Sequence, residues 1–478
     1  MQEICKDMRK SFTLFALLLT IKSISAQSTF YGIWEGKMNA GVEIRMVFNI
    51  SEDSSKNVQA TIASPDQGLQ GVKASSIQLK GDSVHLEISQ YKASYSGKLT
   101  GDTGITGNFV QNGMSFPLNL KKVLKITTRK RPQTPEGPFP YTSEDLTYTN
   151  KSGSQTFGAT ITIPKGKGPF PAILLLTGSG PQNRDEEIMD HKPFAVIADH
   201  LTRNGFLVLR VDDRGTGKTT GDASAATTRD FADDAIVSLN FLLNRKEVNK
   251  RKIGMIGHSE GGMIAQIIAA ERSDINFVIM LAAPGEQITK LMSDQNEAIL
   301  AKMGLQKDFV TAYLKLYNGI TNVLVSNTDS LNDKVKAITD EWIATTPSNI
   351  VALTTGIRDE KTKNNVINQF MGQLNNPWFK YFLKYDPAPV IKKISASVLA
   401  VNGNKDIQVI SKTNLAGIEG ALKESRSKKF EVKELEGLNH LFQECKQCTL
   451  AEYAQLDQTI SPVVLDIITK WLKEVVGN

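Results

Sequence analysis

At 478 residues the chain exceeds what one ordinary hydrophobic core holds, and at roughly 150 residues per domain its length has room for about three. The formal net charge of +6 is mild, with 22% charged residues and the two signs interspersed. With neither a long basic run nor aromatics interleaved among bases, nucleic acid is excluded as an expected partner.

At the start, Lys6, Arg9 and Lys10 precede an apolar run from Phe12 to Ile21, and Ile24-Ser25-Ala26 ends in small residues. This is the pattern of a secretory signal peptide, residues 1–26, cut after Ala26. The run is too short for a transmembrane span, which takes about 20 apolar residues, so no membrane span is expected. Cleavage would lower the net charge to about +4. Cys5 lies ahead of the apolar run and offers no cysteine for lipid attachment, which leaves Cys445 and Cys448. In the secreted or periplasmic setting that a signal peptide implies, this pair most simply closes a small disulfide, in a loop so short that it adds little stability. A redox pair would want a thioredoxin-like setting and a zinc site two further ligands, and the flanking residues supply neither.

Residues 27–125 form a succession of short alternating runs: Phe30 to Trp34, Val42 to Ile50, Val58 to Ala63, Ser75 to Lys80, Val84 to Ile88, Ala93 to Leu99, Gly104 to Val110 and Phe116 to Leu120. The spacing predicts a small antiparallel barrel or sandwich. No chemistry is visible there, and His85 on an alternating strand reads as a packing or surface residue. Residues 126–143 carry Pro132, Pro135, Pro138 and Pro140 and read as a linker. Beyond it, apolar strands alternate with helices over 144–284 and again over 394–478, as in a parallel sheet covered on both faces. The strands are Ala159 to Ile163, Pro171 to Thr177, Phe206 to Asp212, Ile253 to Gly257, Phe277 to Ala283, Ser397 to Asn402 and Lys429 to Leu435. Helices are expected over Phe194 to Asn204, Thr228 to Leu243 and Ser461 to Val476. Between the two halves, 285–393 has helical periodicity and reads as an inserted cap. Its aromatics Trp378, Phe379, Tyr381, Phe382 and Tyr385 either line an apolar acyl pocket or pin the cap to the core, and packing is the favoured reading.

Everything is arranged around Arg251-Lys-Ile-Gly-Met-Ile-Gly-His-Ser-Glu-Gly-Gly-Met263, an apolar strand, a Gly-x-Ser-x-Gly turn and a helix. In such an elbow Gly257 and Gly261 keep Cβ atoms away while Ser259 is held above the sheet. A serine hydroxyl needs a base and an orienting acid. Of five histidines, His85 lies in the β domain, His258 within the elbow, and His191 and His200 precede the nucleophile. His440, after the last strand, is the candidate base, and Asp406, after Val398 to Val401, the candidate acid. Their order, Ser then acid then His, is the one such a sheet uses. Backbone donors for an oxyanion are expected at Glu260 and at Ser179, in the loop Thr177-Gly-Ser-Gly-Pro-Gln182.

From about Glu144 onward the chain resembles the α/β-hydrolase superfamily in its esterase and serine-aminopeptidase-like branch, and secreted bacterial members with a small N-terminal β domain in particular. The resemblance is carried by Gly257-His-Ser-Glu-Gly-Gly262, Asp212-Asp-Arg-Gly-Thr-Gly217, Thr177-Gly-Ser-Gly180, Gly403-Asn-Lys-Asp406 and Leu438-Asn-His440. Many relatives begin the oxyanion loop with His-Gly, where this chain has Thr177-Gly178. Asp212, Asp213 and Arg214 read as loop-organising residues. The resemblance implies an α/β-hydrolase sheet with a helical cap, a Ser259–His440–Asp406 triad working through an acyl-enzyme, and no metal or organic cofactor. The expected partner is a small-molecule ester or a short peptide. Ester hydrolysis leads. An aminopeptidase would need acids to hold a free amine, and Glu260, Asp185, Glu186 and Glu187 are available; a thioesterase fits poorly with export. From another class, a glycan- or lipid-binding protein on a hydrolase frame remains, though a chain of that kind need not keep all three triad residues.

Overall fold

A computed structural model describes residues 29–39, 43–65, 69–111, 114–126, 129–326, 329–427 and 429–477. The expected signal peptide lies outside them. The chain divides into two compact units, Met1–Lys130 with Ile188–Asp190, and Arg131–Glu187 with His191–Asn478.

In the first unit, ten strands make one sheet: β1 (Gly32–Asn39), β2 (Glu43–Glu52), β3 (Val58–Ser64), β4 (Leu69–Lys73), β5 (Ser76–Lys80), β6 (Ser83–Ile88), β7 (Ala93–Leu99), β8 (Gly104–Gln111), β9 (Met114–Pro117) and β10 (Asn119–Val123). They run in the order β4-β3-β2-β1-β10-β8-β7-β6-β5, with β9 on β8. The two end strands are consecutive in the chain, and the link between them bonds to both sides: Ala74 N–H donates to Ala60 O at 2.8 Å and Ser75 N–H to Glu87 O at 2.7 Å. The sheet therefore curls on itself, as in a barrel, and does not split into a sandwich. Alternate residues face inward, so that Trp34, Phe48 and Ile62 line up across β1, β2 and β3, and Leu86, Tyr95 and Phe109 across β6, β7 and β8. Phe48 and Tyr95 stack with centroids 5.0 Å apart and join the two rows. Sequence patterning missed β4, whose Gly71 sits at φ +60° in a run with little apolar alternation. It also merged β9 with β10, which part after Pro117, a residue without an N–H.

The second unit holds an eight-stranded sheet: β11 (Thr142–Thr149), β12 (Thr156–Ile163), β13 (Phe170–Leu176), β14 (Leu207–Val211), β15 (Val248–His258), β16 (Phe277–Leu281), β17 (Ser397–Gly403) and β18 (Phe430–Leu435). Its order is β11-β12-β14-β13-β15-β16-β17-β18, antiparallel at β11 and β12 and parallel from β14 onward. The helices are α1 (Pro193–Arg203), α2 (Thr228–Leu243), α3 (Glu260–Glu271), α4 (Ile288–Lys302), α5 (Lys307–Val325), α6 (Leu331–Thr345), α7 (Ser348–Thr355), α8 (Glu360–Asn375), α9 (Pro377–Leu383), α10 (Pro387–Ile391), α11 (Ser411–Lys423) and α12 (Pro462–Val476). Side chains alternate across the strands, and this builds two cores. Leu174, Met255 and Val278 pack with α2, α3 and the inserted helices, while Ile173, Ile256 and Ile279 pack with α1 and α12.

Helices α4 to α10 form the insertion between β16 and β17. Composition hid β11, a mostly exposed edge strand of Thr-Ser-Glu-Asp-Leu-Thr-Tyr-Thr that pairs on one side only, and α11, which was not anticipated. Part of the proline-rich stretch is packed and not a free linker: Arg131 is buried and its guanidinium donates to Leu456 O and Ala454 O at 2.6 and 2.9 Å. Among the described residues no helix is long and apolar enough to cross a membrane.

Trp34 is fully buried, and its Nε1 donates to Phe30 O at 2.7 Å. Trp34→Ala is expected to cost about 3–5 kcal/mol, read as a lowered denaturation midpoint of the β unit, with the second unit's transition unchanged.

Candidate active site

Strand β15 ends buried at His258, and α3 begins at Glu260. Ser259 joins them at φ 53°, ψ −120°, a conformation that costs a non-glycine residue energy and persists only where the surroundings dictate it. Here they do. A Cβ on Gly257 would lie 2.1 Å from Gly261 O, and one on Gly261 would lie 2.1 Å from Leu176 O, so strand, helix and the end of β13 meet with no space for side chains. Ser259 N–H donates to Leu281 O at 2.8 Å, which ties the elbow to β16. The serine is half-buried and its neighbours on both sides are buried.

Asp406 follows β17 and His440 follows β18. A Cβ on Gly403 would lie 2.1 Å from Leu438 O, so the glycine is what lets these two loops touch. Asp406 Oδ1 accepts the Gln408 and Val409 N–H groups at 2.7 and 2.9 Å, and Oδ2 faces His440 Nδ1 at 2.7 Å. Both side chains are buried. A carboxylate on Nδ1 places the proton there and leaves Nε2 as the basic nitrogen. No hydrogen bond joins Ser259 Oγ to His440. The elbow and the histidine loop are joined instead one residue upstream, where His258 Nε2 donates to His440 O at 3.0 Å and the two imidazoles lie 4.8 Å apart.

The loop after β13 is anchored by carboxyl groups. Thr177 donates its hydroxyl to Asp213 at 2.8 Å, and Gln182 N–H donates to the same carboxyl at 2.9 Å. Gly178 N–H donates to Glu186 Oε1 at 2.7 Å. That amide is thereby taken, and the exposed Ser179 is the next along the loop. Burial pushes the Asp213 carboxyl up to about 8, with the nearby Glu186 and Glu260 charges adding to it and the bonds from Gln182 and Thr177 opposing it. Burial also raises Glu260 above the usual carboxyl range, against the pull of Thr228, Trp378 and the nearby Ser179 hydroxyl. Its Oε1 accepts Thr228 Oγ1 at 2.6 Å and Trp378 Nε1 at 2.8 Å, and its Oε2 has no hydrogen-bond partner.

The remaining polar residues named from sequence are engaged elsewhere. Asp212 pairs with Arg184 at 2.6 Å and Arg214 with Asp234 at 2.8 Å. Asp185 pairs with Arg210, and Glu187 faces Lys192 at 3.5 Å. His191 meets Thr459 at 2.9 Å, His200 meets Thr469 at 2.8 Å and His85 meets Ser96 at 2.8 Å. Trp378 and Tyr385 turn out to pin the insertion to the elbow helix: besides the bond to Glu260, Tyr385 O–H donates to Gln266 Oε1 at 2.9 Å. Cys445 and Cys448 form a disulfide. They are also the sulfurs of the only group of three possible metal ligands among the described residues, with Glu452, whose carboxylate is filled by the Lys446, Gln447 and Cys448 N–H groups. Sequence reasoning did not find the bond of Glu186 to His258, which are 72 residues apart. No spacing rule connects such positions, and a run of four acids between residues 185 and 190 gives no sign which of them turns inward.

A family model described as serine aminopeptidase, S33, matches residues 190–352. That span includes Ser259 and ends before Asp406 and His440. Esterase EstD of Thermotoga maritima is 28% identical over 343 residues, covering 70% of this chain and 68% of the relative. An uncharacterized Escherichia coli protein, YfhR, is 29% identical over 146 residues, covering 30% of this chain and 48% of the relative; this chain thus spans about half of that relative's length. Among solved structures, an esterase of Pyrococcus furiosus matches 74% of this chain and 98% of its own at 14% identity, with a TM-score of 0.42.

The neutral Asp213 carboxyl has a signature in stability. An aspartate ionises near pH 3.9 when unfolded and only at about 8 here, so between those values the unfolded chain holds fewer protons and stability falls as pH rises, levelling off above. Asp213→Asn is expected to flatten this part of a plot of Tm against pH. Parallel curves for the two proteins would refute the shift.

Proposed function

We propose that this chain, which belongs to the α/β-hydrolase superfamily, cleaves carboxylic esters through an acyl-enzyme on Ser259. The observation that carries the reading is the buried Asp406–His440 bond, which leaves Nε2 as the basic nitrogen at the sheet edge where a strained elbow presents a serine. Ser259 Oγ attacks the acyl carbon while His440 Nε2 takes its proton. Asp406 steadies the imidazolium. The oxyanion forms against the N–H of Glu260, the first amide of α3 and so without a helical acceptor, and the N–H of Ser179. Collapse of the intermediate returns the proton to the departing alcohol, and water repeats the sequence to release the acid. Export directed by residues 1–26 would place the enzyme where the Cys445–Cys448 disulfide is stable.

A second reading is peptide hydrolysis from a free amino terminus. It is favoured by the Glu260 carboxyl beside the nucleophile, with one oxygen unpartnered, and by the description of the matching family model.

Labelling with a fluorophosphonate probe should be strong in the wild type and absent in Ser259→Ala, and Asp406→Asn should lower kcat by about 10⁴-fold. Short-acyl nitrophenyl esters should turn over ahead of aminoacyl nitroanilides. The reverse order selects the peptidase, and a folded wild type that takes no label removes the enzyme reading in favour of a binding protein.

A further inference from the structure

His258 stands between two acceptors. Its Nδ1 faces Glu186 Oε1 at 3.0 Å and its Nε2 faces the His440 carbonyl oxygen at 3.0 Å. A carbonyl oxygen carries no proton, so Nε2 must be the donor there. A neutral imidazole has then no second N–H, and one more proton has to lie between Nδ1 and the carboxylate. Glu186 Oε1 also accepts Gly178 N–H, so one oxygen receives both the oxyanion loop and the histidine. The packing is equally tight around it: a Cβ on Gly178 would lie 3.2 Å from Glu186 Oε1, 3.4 Å from Ser259 Cβ and 3.6 Å from His258 Nδ1. Glu186 is itself held at φ 51°, which a non-glycine residue keeps only when its surroundings impose it.

We propose that Glu186 and His258 are positioning residues, an ion pair that holds the oxyanion loop and the His440 loop in register on either side of Ser259. This rests on the reading of Ser259 as nucleophile and His440 as base, and it adds what keeps them aligned. The chain of contacts runs from Gly178 N–H through the Glu186 carboxylate and the His258 imidazolium to the backbone of His440. The titratable groups facing the His258 ring are Glu186 from the loop before α1, His440, and Asp406 beyond it. Burial works against the charged ring, but the Glu186 carboxylate, the His440 carbonyl and the Asp406 charge together hold its pKa above the ordinary histidine value. The balance of charge also matters to the base: an imidazolium 4.8 Å from His440 would oppose proton uptake there if Glu186 did not neutralise it. A glutamine at 186 could accept from Gly178 or engage the ring but could not take both N–H groups on a charged oxygen.

The test uses the full chain labelled with 15N-histidine, in which Glu186→Gln is compared with the wild type and His258→Gln identifies the signal among five histidines. In the wild type, His258 should keep both ring nitrogens protonated past the pH at which an ordinary histidine, with a pKa of about 6.5, gives up its proton. In Glu186→Gln the ring should lose its proton at lower pH than in the wild type, and kcat should fall roughly 100-fold, the scale of a displaced catalytic group, with KM changed by less than about threefold. A wild-type His258 that titrates as an ordinary histidine overturns the pair, and so does a Glu186→Gln protein with wild-type kcat. Should that variant fail to fold, the wild-type titration decides alone. Failure of the nucleophile assignment is read separately, from probe labelling that survives Ser259→Ala, and would leave the His258 signal untouched.

Discussion

Three stretches of backbone meet beneath Ser259 at separations that exclude any Cβ, and the site depends on that contact. The close approach of Gly257 to Gly261, and of Gly261 to the end of β13, fixes where the serine points. It also presses the elbow against Leu176, directly before the loop that carries Ser179. A side chain at either glycine would push strand and helix apart and dissolve both relationships together. Parallel order then does the rest: β13, β15, β17 and β18 all end at one edge of the sheet, and the loops leaving those ends bring together residues as distant in the chain as Gly178 and His440.

Four carboxyl groups, Asp213, Glu186, Glu260 and Asp406, crowd a region where a negative charge would develop during acyl transfer, and each is accommodated differently. Asp406 faces an imidazole and two amides. Glu186 faces the other imidazole. Asp213 gives up its charge over much of the pH range because burial outweighs its hydrogen bonds. Glu260 is buried and drawn the same way, with Thr228 and Trp378 both donating to its Oε1. An acidic cluster of this kind is compatible with an oxyanion only while most of the charge is paired or titrated away.

Much of this was legible in the sequence. The elbow has a local signature because its strain requires glycines at set spacing, and the order of serine, acid and histidine follows from strand order, so Ser259, Asp406 and His440 could be named, and the structure joins Asp406 to His440. The parallel strands announced themselves by burial on both faces, whereas β11 did not, being an edge strand with polar residues on both sides. The closure of the β unit was left open between barrel and sandwich because alternation reveals a strand but not its neighbours. Glu186 and His258 were unreadable as a pair, since they lie 72 residues apart and Glu186 takes a positive φ without being a glycine.

The two ends of the helical insertion are not equivalent. Near its return, Trp378 and Tyr385 are bonded into α3, the helix whose first amide borders Ser259, while α6 to α8 pack mainly on other helices of the insertion. A shift at the return end therefore bears directly on α3 and the elbow, whereas a rearrangement among α6 to α8 is first taken up within the insertion. The insertion is built like an awning on a fixed bracket: its return end is fastened to the helix that begins at the elbow, and its other helices are supported by one another.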